Sequence, residues 1–133
     1  MKQGRTVLEA KRYGIYSCRP DATLLQAARR MVEEDVSALV VVDDDGCLAG
    51  VISRTDMLRA HLERADWANQ PVASHMSRDV VSVTGEDDLR SVARLLLEKH
   101  IHRVVVVRDD GGKRRPVAVV SDADLVYHML RDG

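Results

Sequence analysis

Gly50-Val51-Ile52-Ser53-Arg54-Thr55-Asp56-Met57-Leu58 is the place where a short apolar run gives way to hydroxyls and a carboxylate, and its reading decides the fold. An apolar, β-branched segment that passes into Ser-x-x-Asp is a strand feeding a helix, with Ser53 as the cap and Asp56 closing a capping box. A weaker copy, Ala118-Val119-Val120-Ser121-Asp122-Ala123-Asp124-Leu125-Val126, lies near the other end of the chain. A junction of this kind gathers unpaired backbone N–H groups, the positive end of a helix dipole and hydroxyl donors at one spot, which suits a phosphate. A carboxylate one turn in can accept hydrogen bonds from the hydroxyls of a ribose. Either copy alone is also an ordinary helix cap, and only its context decides between the two.

Working outward from the first copy, Ala38 to Val42 is an apolar run, Asp43-Asp44-Asp45-Gly46 a turn and Leu48 to Ile52 the returning strand, so a hairpin leads into the helix. That helix is expected to run to about Arg64. Upstream, Thr23 and Gln26 form a T-x-x-Q capping box, and Leu24, Ala28, Met31 and Val32 follow at helical spacing, predicting an amphipathic helix of about three turns. Ile15 to Cys18 reads as a short strand ended by Pro20-Asp21. Thr6 opens a helical turn with Glu9 as its box partner.

Trp67-Ala68-Asn69-Gln70-Pro71 breaks the pattern, and the same order of elements then returns. Pro20-Asp21-Ala22-Thr23-Leu24 matches Gly85-Glu86-Asp87-Asp88-Leu89, and Val40-Val41-Val42 matches Val105-Val106-Val107, at a constant offset of 65 residues. From the Ser-x-x-Asp element onward the offset is 68, so the second hairpin carries three extra residues. They fall in Asp109-Asp110-Gly111-Gly112-Lys113-Arg114-Arg115-Pro116, expected as a polar, solvated loop. Two units result, 1–66 and 67–133, each β-α-β-β-α and each too small to be comfortable alone. The fold class is therefore α/β, with two repeats packed through their sheets about a pseudo-two-fold axis.

Twenty Lys and Arg against 21 Asp and Glu give a formal net charge of -1, so no basic field steers the chain onto nucleic acid or an anionic membrane. Aromatic residues make up 3% with no Phe, which leaves few platforms for stacking bases. No apolar run has signal-peptide or transmembrane character, and the expected location is the cytoplasm. Cys18 reads as a core residue and Cys47 as an incidental thiol beside a turn. His100 and His102 share a strand face on this reading, but two ligands do not hold a metal well. With no nucleophile beside a credible base, and no phosphate loop or nucleophile elbow, an enzyme is not expected.

The doubled order of elements, with Gly-h-h-Ser-x-Thr-Asp after a hairpin (h apolar), resembles the tandem CBS-domain pair, or Bateman module, over about Thr6 to Leu130. The stretch from His75-Met76-Ser77 through Val83 and on to Ile101-His102-Arg103-Val104-Val105-Val106-Val107 is the most family-like. The resemblance implies a regulatory module that binds an adenosine-containing ligand in the clefts between the repeats. By position, Ser53 and Thr55 match the hydroxyls that meet phosphate and Asp56 the ribose acid. In the second repeat Ser121 and Asp124 match, while Ala123 replaces the second hydroxyl and Ala118 the glycine. His102 and Arg103 resemble a phosphate-binding His-Arg pair in the nucleotide-sensing subunit of the AMP-activated kinase. Lys11 is an additional phosphate candidate, and Tyr16 and Val81 occupy strands whose backbone meets the adenine edge.

The ligands so implied are AMP, ADP or ATP, with S-adenosylmethionine or NAD as further candidates, and there is no catalytic cofactor or metal. The resemblance also implies a homodimer formed through the helices after the motif, about Met57 to Arg64 and Leu125 to Arg131, and a regulated protein that the residues do not identify. A different reading is a ligand-free structural module for dimerisation or protein interaction, in which the Ser-x-x-Asp elements serve only as caps.

Overall fold

In a computed structural model, residues 4–10 and 14–131 are described. The elements are α1 (Val7–Ala10), β1 (Ser17–Cys18), α2 (Leu24–Glu34), β2 (Ala38–Val42), β3 (Leu48–Ser53), α3 (Arg54–Glu63), two 3-10 turns (Trp67–Asn69 and Val72–Ser74), β4 (Ser82–Val83), α4 (Leu89–Lys99), β5 (Arg103–Asp110), β6 (Lys113–Ser121) and α5 (Asp122–Arg131). The α/β class and the doubled β-α-β-β-α order are as expected. Among the described residues there are two three-stranded sheets, ordered β1-β2-β3 and β4-β5-β6, each with one parallel and one antiparallel pairing.

The compact units do not divide at 66/67. One is Tyr16–Val80; the other joins the N-terminal segment to the chain from Val81 onward. Two apolar contacts account for the difference. Val7, fully buried, sits in the core of the second repeat with Leu89, Val92, Val104 and Val106. Val72, also fully buried, belongs to the first repeat's core with Leu24, Leu39, Ile52 and Ala60, and Trp67 and Met76 pack against it. Burying a side chain of Val or Leu size contributes about 1.5 to 3 kcal/mol, so these contacts assign α1 and the 67–80 segment to their units.

Local chemistry explains the repeated elements. Thr23 and Gln26 cap α2 reciprocally, Thr23 Oγ1 accepting from the Gln26 N–H at 3.1 Å and Gln26 Oε1 from the Thr23 N–H at 2.9 Å. Both α2 and α4 end in a left-handed residue that is not glycine, Asp35 at φ 51° and His100 at φ 54°. The following N–H reaches back to the helix in each case, from Val36 to the Met31 carbonyl at 3.0 Å and from Ile101 to that of Leu96 at 3.1 Å, which is the Schellman closure. His100 is thus a helix cap and not a strand residue, contrary to the sequence expectation. Val32 also departs from it: Leu24, Ala27 and Met31 are buried, whereas Val32 is exposed.

The second hairpin differs from the expected polar loop. Strand pairing continues through Arg108 with Arg115, Asp109 with Arg114 and Asp110 with Lys113, and the turn is only Gly111-Gly112. Their φ angles, +63° and +84°, are those of a two-residue turn with both central residues left-handed, which matches the twist of a hairpin and suits glycine. Pro116 is tolerated because β6 is an edge strand and because the pairing register shifts there.

Candidate functional site

The two strand-to-helix junctions are built alike. Ser53 is the cap of α3: its N–H donates to Asp56 Oδ2 at 2.8 Å, its hydroxyl donates to the same oxygen at 3.0 Å, and the Asp56 N–H lies 3.4 Å from Ser53 Oγ. Ser121 and Asp124 repeat the arrangement at the start of α5, with 2.8, 3.2 and 3.3 Å for the same three contacts. The next N–H of each helix is also held, Arg54 donating to the Ser37 carbonyl at 3.0 Å and Asp122 to that of His102 at 2.9 Å. These bonds satisfy N–H groups that a helix start leaves without internal partners.

Strand register gathers the remaining candidates at the same end of each sheet. In the first repeat Ser53 pairs with Ala38 at the start of β2, and the Tyr16 carbonyl, just before β1, accepts from the Val40 N–H at 3.0 Å. Because β1 runs parallel to β2, Tyr16 lies at the same sheet end as Ser53, Thr55 and Asp56. In the second repeat Arg103 opens β5 opposite Ser121, and the Val81 carbonyl accepts from the Val105 N–H at 3.1 Å. Val81, His102, Arg103, Ser121 and Asp124 therefore share one sheet end. Lys11 lies outside the described residues.

The surroundings of these groups differ between the repeats. Thr55 is exposed at the second position of α3, and Ala123, exposed at the matching place in α5, offers no hydroxyl. Tyr16 is exposed with the Arg30 guanidinium 5.9 Å from its ring centre, a cation–π distance, while Val81 packs against its repeat's core. The first junction carries two guanidinium groups, Arg59 at 3.3 Å from Asp56 Oδ1 and Arg54 at 3.6 Å from Asp35 Oδ1. The second carries an exposed His102 whose Nδ1 lies 3.0 Å from Asp122 Oδ2, and a half-buried Arg103 that is engaged by its neighbours.

Four of these residues, Asp35, Arg54, Arg59 and Asp122, are not singled out by the sequence reading. The three-residue spacing of Asp56 and Arg59 on one helix is a signal that could have found that pair. His102 and Asp122 are 20 residues apart, and only the alignment of β5 with the start of α5 brings them together. Cys18 is half-buried against the first repeat's core; burial pushes its thiol up to about 11, with the nearby Arg30 charge partly opposing this.

No described helix is long and apolar enough to cross a membrane. A family model for the CBS domain matches residues 10–63 and 72–131. Among proteins of known sequence, the transcriptional repressor CcpN of Bacillus subtilis is 35% identical over 91 residues, a match that covers 67% of this chain and 43% of the repressor. The chain spans 68%, 43% and 28% of the length of the first three curated relatives it matches. Among solved structures, CBSX2 in complex with AMP is 27% identical with a TM-score of 0.84, covering 96% of this chain and 98% of that one. The CBS domain pair of protein MJ0100, in complex with 5-methylthioadenosine and S-adenosyl-L-methionine, superposes with a TM-score of 0.85 at 21% identity, covering 97% and 98%. With two consecutive matches over most of its length and the same fold in both comparisons, the chain belongs to the CBS domain family.

Proposed function

We propose that the chain is a ligand-sensing regulatory module that binds an adenine nucleotide, or another adenosine-containing ligand, at the strand-to-helix end of its repeats. The observation that carries this is the gathering of Ser53, Thr55, Asp56 and Tyr16 in the first repeat, and of Ser121, Asp124, His102, Arg103 and Val81 in the second, each set at one sheet end. The AMP complex of a structure 27% identical to this chain supports the ligand class. Hydroxyls and a helix start would meet the phosphate, and the carboxylate the ribose. The second repeat lacks a hydroxyl where Ala123 stands and has the Arg103 guanidinium and the His102 imidazole instead; one lost contact costs about 0.5 to 1.5 kcal/mol, or up to roughly tenfold in affinity. Binding biases a regulated protein, in the same chain or another, only through a ligand preference for one of two packing states. The role proposed is binding without catalysis, in the cytoplasm.

Calorimetric titration with AMP, ADP, ATP, S-adenosylmethionine and NAD tests the reading, repeated on Asp56→Ala and Asp124→Ala. Binding of at least one ligand, weakened in one or both variants, is expected. No heat and no thermal shift with any of the five ligands would sink it.

A structural module without a ligand is the second reading, favoured by the fact that both carboxylates already have partners within their own caps. Under either reading we propose a homodimer formed through α3 and α5. Leu58 and Leu62 on α3 are exposed, and so are Val126 and Leu130 at the positions 68 residues on in α5. Sedimentation of the double variant Leu62→Glu, Leu130→Glu as a monomer is expected; a monomeric parent protein would refute the dimer.

A further inference from the structure

Asp56 is approached from two sides. Ser53 holds Oδ2 through its N–H and its hydroxyl, at 2.8 and 3.0 Å, while Arg59 Nη1 lies 3.3 Å from Oδ1. A carboxylate offers about four lone-pair positions across its two oxygens. With the two on Oδ2 and one on Oδ1 taken, a vicinal diol, which needs two acceptors, cannot be accommodated while Arg59 stays in place. The Arg59 side chain is 59% exposed and that of Asp56 15%, so the guanidinium is the partner able to leave and the carboxylate the fixed one.

Resting on the nucleotide-binding reading, we infer that Arg59 is a specificity-determining residue of the first repeat's site, selecting phosphorylated over unphosphorylated nucleosides. A neutral nucleoside must displace the guanidinium from Asp56 and offers it no anion in return. A nucleotide delivers a phosphate to the start of the same helix, where Ser53 and Thr55 stand, so the displaced guanidinium exchanges one anion for another. Guanidinium–phosphate bonds are charge-assisted and often bidentate, which favours the exchange.

The second repeat has no arginine at the position that matches Arg59. Three residues after Asp124 stands Tyr127, whose hydroxyl accepts from Arg131 Nη1 at 3.1 Å. A phenol in that place has no charge to give a phosphate, so Tyr127 is no counterpart to Arg59.

The test is calorimetry with adenosine and with AMP in an Asp124→Ala background, so that the heat reports the first repeat, comparing Arg59 with Arg59→Gln and Arg59→Lys. Exposed pairs of this type shift an equilibrium by at most about fivefold. Arg59→Gln is therefore expected to tighten adenosine by about two- to fivefold while AMP stays the same or weakens. Arg59→Lys is expected to restore part of the preference for AMP. An unchanged ratio of the two affinities in Arg59→Gln, or equal weakening of both ligands, overturns the role of Arg59 and leaves nucleotide binding standing. Failure of the Arg59 parent and of the unmutated protein to bind either ligand overturns both readings.

Discussion

Gly50 passes so close to Ser77 that a Cβ on Gly50 would stand 2.6 Å from the Ser77 carbonyl oxygen and 2.8 Å from Met76 Sδ. The approach lets Val51 and Ser77 exchange both backbone hydrogen bonds, at 3.0 and 2.9 Å, so the 76–77 segment covers the open edge of β3. Unprotected strand edges are sites of unwanted pairing, and the contact occupies this one at Val51. Gly50→Ala is expected to push the segment off and cost about 1 to 3 kcal/mol, read as a lower urea midpoint. A midpoint equal to that of the parent would show that the segment yields without loss.

The reciprocal cap of Ser53 and Asp56 predicts how its variants will separate. Asp56→Ala removes the acceptor for the Ser53 N–H and should lower stability by about 1 kcal/mol. Asp56→Asn keeps a side-chain oxygen for that N–H and should lose less. Equal losses in urea unfolding would mean that the charge, through Arg59 or the helix dipole, matters more than the bond.

His100 is held left-handed at φ 54°, a conformation that costs a residue with a Cβ about 1 to 2 kcal/mol. Glycine adopts it freely, although it also gives the unfolded chain about 0.4 to 1 kcal/mol of extra freedom. His100→Gly should therefore raise stability by about 0.5 to 1 kcal/mol, seen as a higher thermal midpoint. A drop would show that the imidazole makes a contact worth more than the strain.

Burial raises the Cys18 thiol from 9.0 to about 11. Its folded value lies above its unfolded one, so between about pH 9 and 11 the folded state holds the proton more tightly. The stabilising contribution is complete below pH 9 and is lost as pH rises toward 11. Cys18→Ala should flatten the fall in stability over that window. Below it, with the thiol protonated, alkylation of native protein should modify Cys18 far more slowly than after unfolding in urea.

Much of the fold was legible because it depends on local chemistry. The cap pairs at Thr23 with Gln26, Ser53 with Asp56 and Ser121 with Asp124 lie three residues apart, and each starts a helix where its spacing indicates. The candidate residues came from the repeat and the family resemblance together, and the structure adds that the described ones lie at one sheet end of each repeat. The side-chain pairs around them were less legible: Arg59 needed a known helix face, and the His102 contact with Asp122 needed two elements brought into register.

The extended hairpin shows a finer limit. Polar residues from Asp109 to Arg115 look like a loop, yet two glycines with positive φ make a tight turn and free the flanking residues to pair as strands. Backbone hydrogen bonding, which does not depend on side-chain polarity, decides there.

By itself, the sequence of this protein determined the α/β class, the two repeats and the capped helix starts, since each is set by neighbours in the chain or by internal repetition. Only the tertiary structure decided that α1 joins the second repeat's core through Val7, that Val72 joins the first's, and that Gly50 admits Ser77. Those choices rest on apolar burial and close packing between residues distant in sequence, whose energies no local pattern contains.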